Sequence, residues 1–116
     1  LVPILSTLDN VLKLKGNCQK ERKDVIERCL AIDILNNCID CNNVADENYI
    51  LAEINVEMSN KLPHSDARTR QECLAESYYK EAIRISTKIN GPDHSRTVFF
   101  ISRLALIMEF ISICNS

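Results

Sequence analysis

The 116-residue chain has no tryptophan, two glycines and three prolines, and only 5% of its residues are aromatic. So few punctuating residues cannot supply the turns of a sandwich or barrel built from many short strands. An all-α fold is the class left. Positive charge is not in surplus either: 14 Lys and Arg against 16 Asp and Glu leave a net charge of −2, with a pI near 5.7. Without a basic field the chain does not draw in a phosphate backbone, and nucleic acid is not an expected partner. A long hydrophobic run is also missing. The most apolar stretch, residues 98–113, falls short of the roughly 20 residues of a membrane span and carries Arg103 and Glu109. It reads as a core helix, central because it is apolar on nearly every side.

Catalytic groupings are equally scarce. Two glycines make no phosphate-cradling loop, and no Ser/His/Asp arrangement is suggested. His64 and His94 each sit beside Pro and Ser in an interhelical turn and read as exposed caps. Cys38 and Cys41 form a CxxC pair, but the acidic Asp40 between them raises a thiol pKa, the wrong direction for redox chemistry. No second pair completes four metal ligands. The expectation is a non-enzyme without cofactor, metal or catalytic residues.

Six cysteines are what the chain does have: Cys18, Cys29, Cys38, Cys41, Cys73 and Cys114, with intervening gaps of 10, 8, 2, 31 and 40 residues. An even set of this density in a small chain points to three disulfides and a secreted, extracellular protein, its signal peptide already removed. No Asn-x-Ser/Thr acceptor occurs. Residues 1–116 read as a single domain, a compact, monomeric bundle of about five helices stapled by those bridges.

The helices follow from apolar spacing. Leu1, Ile4, Leu5, Leu8, Val11 and Leu12 make the stripe of a first amphipathic helix that stops at Gly16. A second helix, Gln19 to Leu35, has Val25, Ile26, Cys29, Leu30 and Ile34 inside and the alternating charges of 20–24 and 27–28 in solvent. Residues 36–48 lack periodicity and read as a linker. Asp46 caps a third helix that ends before Pro63. A fourth runs from Ser65 or Asp66 to about Ile89 on a stripe of Leu74, Tyr78, Ala82, Ile85 and Ile89, and Asn90, Gly91 and Pro92 stop it. Asp93 or Ser95 caps the fifth.

One bridge follows from this layout. The short turn at 91–94 makes the last two helices antiparallel neighbours, with Cys73 17 residues before Asn90 and Cys114 20 residues beyond His94. At about 1.5 Å per residue their sulfurs stand at similar heights, and a Cys73–Cys114 bridge is expected. The other four cysteines would pair among themselves, in a pattern left open.

Two resemblances bear on function. Leu74, Tyr78, Tyr79, Lys80 and Ala82, followed by Gly91, Pro92, Asp93 and His94, resemble the tetratricopeptide repeat of the kinesin-light-chain type over about a third of the chain. That likeness implies a tetratricopeptide-like C-terminal helical hairpin. Taken whole, the chain resembles the small salivary proteins of anopheline mosquitoes that include albicin and anophensin. The likeness lies in length, all-helical pattern, the leucine-rich helix before Cys18 and the apolar helix ending in Cys114. It implies a secreted inhibitor that binds a host plasma protein complex, first the complement alternative-pathway convertase, with the contact and kinin pathway as the alternative. A peptide-binding scaffold and a carrier of a small apolar ligand are the other two readings. No partner-binding residue carries over from either resemblance.

Overall fold

The computed structural model describes residues 2–16 and 18–114, without the side chains of Val2, Pro3, Ser6, Ile113 and Cys114. Five helices and no strand occur among them: α1 (Val2–Lys15), α2 (Gln19–Leu35), α3 (Asn42–Asn60), α4 (Asp66–Asn90) and α5 (Ser95–Cys114). Each packs chiefly on its neighbours in sequence, so the molecule is a folded row of helices, 42 × 33 × 22 Å.

Local chemistry sets the helix ends. Ser65 Oγ accepts from the Arg68 backbone N–H at 3.3 Å and starts α4. Gly91, at φ 93°, ends it in a conformation that side chains disfavour. The α5 cap is His94, whose Nδ1 accepts from the Arg96 N–H at 3.1 Å, in place of Asp93 or Ser95.

The largest interface joins α3 and α4. Ala45 and Ala82 share one buried cluster, and Ala52 and Ala75 another, all four with no exposed surface. Each helix thus presents two alanines seven residues apart, and the backbones can approach closely. Ile26, Leu51 and Ile54 join α2 to α3, and Leu5, Val25 and Cys29 join α1 to α2.

Several inner faces depart from the expected ones. The third helix begins at Asn42, so residues 36–41 alone form the linker. Its stripe is Val44, Ala45, Asn48, Leu51, Ala52, Asn55 and Ser59, and the amides and hydroxyl hid its period. Asn48 donates to the Val44 carbonyl at 2.9 Å and Asn55 to that of Leu51 at 2.8 Å, so these side chains enter the core with their donors satisfied by their own helix. On α4 the buried line is Glu72, Ala75, Tyr79, Ala82, Ile85 and Ser86, while Leu74 and Ile89 are exposed. Among the described side chains of α1, Leu5, Asp9 and Leu12 turn inward, and Ile4, Leu8 and Val11 face solvent. The helix expected at the centre, α5, lies instead at the end of the row, where only one of its sides has a neighbour to pack on.

Two polar contacts join the first three helices, one an ion pair and one between two acids. Arg22, read from sequence as part of a solvated face, is buried against Asp9 of α1 at 3.0 Å and reaches Glu57 of α3 at 3.6 Å. At the other end of α2, Asp33 meets Glu47 of α3, and both are buried. Burial, then the hydrogen bond to Asp33, then the charges of Asp33 and Asp46 push the Glu47 carboxyl up to about 8. Glu47 is therefore protonated at neutral pH and donates to Asp33.

Two measurements check these contacts. Arg22→Met strands the Asp9 charge and should cost about 3–5 kcal/mol in urea unfolding, whereas Asp9→Leu/Arg22→Met should recover most of that loss. For Glu47 the folded carboxyl binds its proton more tightly than the unfolded one, at about 4.3. Its contribution is therefore complete below about pH 4 and disappears as pH rises through about 8. Wild-type stability should decline across that window, and Glu47→Gln should flatten the decline in urea melts taken from pH 5 to pH 9.

Candidate functional site

An apolar helix at the end of a row must show most of its sides to solvent. Val98, Phe99, Ile101, Leu106, Met108 and Phe110 of α5 are each 45–55% exposed. Six large side chains on one helix give roughly 500 Å² of exposed apolar surface, in rows on either side of Ser102, Glu109 and Ser112. The polar members of this face are Ser102, Glu109 and Ser112.

This face is held firmly from behind. Phe100 stacks on Tyr49 of α3 with ring centroids 5.1 Å apart, and Phe99 meets the same ring edge-on at 5.4 Å. Tyr79 of α4 adds a third ring, 6.1 Å from Tyr49. Under the rings lies Glu53. Its Oε1 accepts from the Tyr49 hydroxyl at 2.7 Å and pairs with Arg103 at 2.8 Å, and its Oε2 accepts from the Tyr79 hydroxyl. Burial alone would raise the Glu53 carboxyl, but the bonds from Tyr79, Arg103 and Tyr49 outweigh it and hold the group below its ordinary value. Nearer the turn, Arg96 pairs with Asp46 at 2.5 Å, and the buried Ser86 and Thr97 hydroxyls lie 2.6 Å apart. A rigid helix presenting apolar side chains can dock on another protein with little loss of conformational freedom.

The sequence singled out other residues, and the structure separates most of them. Cys38 and Cys41 are bonded to each other, with Cα atoms 5.8 Å apart, in the loop between α2 and α3. Asp40 in that loop accepts from Lys88 at 2.6 Å and Arg84 at 3.0 Å of α4, and these two bonds hold its carboxyl below the ordinary range. This is the one disulfide among the described residues, where three were expected. The reason is α2: Cys18 is its N-cap and Cys29 lies three turns on, about 16 Å along a continuous helix. A disulfide needs Cα atoms within about 7 Å, so Cys38–Cys41 leaves these two unable to pair with each other. The expected partner of Cys73 is Cys114, whose side chain lies outside the described residues. His64 and His94 are both exposed and far apart in sequence on separate turns. Among the described residues no cluster of three or more His, Cys, Asp or Glu could hold a metal ion, and no helix is long and apolar enough to cross a membrane.

No known protein family, curated protein or solved structure matches this chain.

Sequence reading missed the outer face of α5 because an all-apolar helix looks central from composition.

Cys73 lines the cleft between α4 and α5 together with Met108 and Ile111, and Cys114 follows Ile111 by three residues on the same helix. Peptide mapping without reductant should therefore recover Cys38–Cys41 and Cys73–Cys114. The intact mass should be lower than that of the reduced chain by at least about four hydrogens, one pair per bridge. A Cys73 peptide linked to Cys18 or Cys29 would contradict this pairing.

Proposed function

We propose that this chain is a secreted, monomeric, non-catalytic inhibitor that docks on a host plasma protein complex through the outer face of α5. The observation that carries the docking mode is the row from Val98 to Phe110, nearly half exposed and backed by Tyr49, Tyr79 and Glu53. A standard interface takes about 800 Å² from each partner, and the apolar rows that flank Ser102, Glu109 and Ser112 would supply roughly 500 Å² of it. The target, the complement alternative-pathway convertase, comes from the resemblance to the anopheline salivary proteins, and so does secretion. A staple at Cys73–Cys114 suits this role by fixing the far end of the docking helix.

One observation favours a second reading. The helices pack in sequence order, as stacked hairpins do in helical repeat proteins, and the turn at Gly91–His94 joins the last pair. A tetratricopeptide-like scaffold that grips a peptide between helices would use that arrangement.

Lysis of rabbit erythrocytes by the alternative pathway separates the two. The protein should block lysis at about stoichiometric ratios to the convertase. Leu106→Asp/Phe110→Asp should weaken the block at least tenfold with the helical circular dichroism intact, since burying two new charges against a partner is strongly disfavoured. Absence of inhibition, with retained activity in a contact-pathway clotting assay, would move the target to that pathway. Binding of short peptides alone would favour the scaffold.

A further inference from the structure

The end of α2 and the start of α3 bring two carboxyl groups together. Asp33, in the last turn of α2, is 7% exposed, and Glu47, in the second turn of α3, is 6% exposed. Their side chains share a hydrogen bond, yet Asp33 Oδ2 and Glu47 Oε1 stay buried with no partner. Nearly all buried polar atoms are bonded, so two orphans on one bonded pair mark a place for a water or an ion. Charge decides between the two. Among the described residues the charges that act on Glu47 are those of Asp33 and Asp46, both negative. The last turn of α2 carries no basic residue, so the partial negative charge of the helix C-terminus adds to theirs. Asp46 itself is engaged with Arg96 at 2.5 Å. A water would satisfy the orphan oxygens and leave the buried negative charge in place, whereas a cation removes both costs.

We propose that Asp33 and Glu47 bind a hard divalent cation of the calcium kind between the end of α2 and the start of α3. The ion takes the place of the proton that Glu47 carries, and that proton goes to solvent. The two side chains then offer up to four oxygens, and water or backbone carbonyls complete the shell. Oxygen as the side-chain donor selects a hard ion over zinc or copper, which favour nitrogen and sulfur. Calcium accepts irregular geometry, whereas magnesium keeps an octahedral shell with several waters, for which a pair this deeply buried has little room. The Cys38–Cys41 disulfide closes the loop between the two helices and limits how far the carboxyls can separate. The site takes nothing from α5 and does not depend on protein docking there.

Calorimetry at pH 8 on the intact, chelator-washed protein tests this with the chlorides of calcium, magnesium and potassium. Calcium should bind with Kd below about 1 mM, and the other two at least tenfold more weakly. Glu47→Gln and Asp33→Asn should each weaken calcium at least tenfold, and Asp24→Asn, an exposed acid of α2, should leave it unchanged. Trace manganese gives a second readout on wild-type protein, which stands even where a variant fails to fold. Its paramagnetic broadening of amide signals should centre on residues 32–34 and 46–48. No calcium binding at about 10 mM, or equal affinity for potassium, would overturn the assignment. So would unchanged calcium affinity in folded Glu47→Gln. Broadening centred on the exposed acids Glu21, Asp24 and Glu27 would overturn it too, since surface charge alone would then hold the ion.

Discussion

Glu53 receives the hydroxyls of Tyr49 and Tyr79 and the guanidinium of Arg103, and through them a single carboxylate on α3 determines where α4 and α5 lie. Tyr79 is wholly buried, so its hydroxyl needs a partner inside the protein, and Glu53 is the one it has. The demand is mutual. Burial, and then the bond to Glu53, raises the Tyr79 hydroxyl well above its ordinary value and pushes that of Tyr49 up to about 12. Both phenols stay protonated and remain donors, while Glu53 stays ionised and remains an acceptor. The aromatic stack then fixes the rotation of α5, and with it the side chains that face solvent.

The α2–α3 interface works on a different principle. There two acids face each other, and the arrangement holds because one keeps its proton. Asp33 Oδ2 and Glu47 Oε1 still lack partners, so the upper end of this interface is less well satisfied than the Glu53 hub. At the lower end Arg22 gathers Asp9 and Glu57 from the helices on either side. The row is thus joined by polar contacts at α1–α2–α3 and again at α3–α4–α5, with α3 common to both.

Helix number and several helix ends were legible because their causes are local, whereas the start of α3 and the cap of α5 were not. Ser65 before α4 and Gly91 after it act within a few residues. The inner faces were less legible, because polarity in sequence is a poor guide to burial when a side chain brings its own partner. Asn48, Asn55 and Arg22 look like surface residues, and each is buried with a bond that only the folded chain reveals. The opposite error befell α5, whose apolar residues look inward by composition, while six of the large ones are about half exposed. Cys38 and Cys41 were readable as structural rather than redox cysteines, but that they bond to each other was not.

Packing by sequence neighbours also governs how the molecule opens. Because contacts join helices that follow one another, few loops must close before favourable contacts form, and folding is expected to be fast. The same topology gives no distant segment to lock the ends. The first helix is attached mainly by Leu5, Leu12 and the Asp9–Arg22 pair, so it can detach while the alanine-lined α3–α4 pair stays closed. Amide hydrogens should then exchange in a gradient, slowest along α3 and α4 and fastest in α1, so that the molecule loosens from its edge inward.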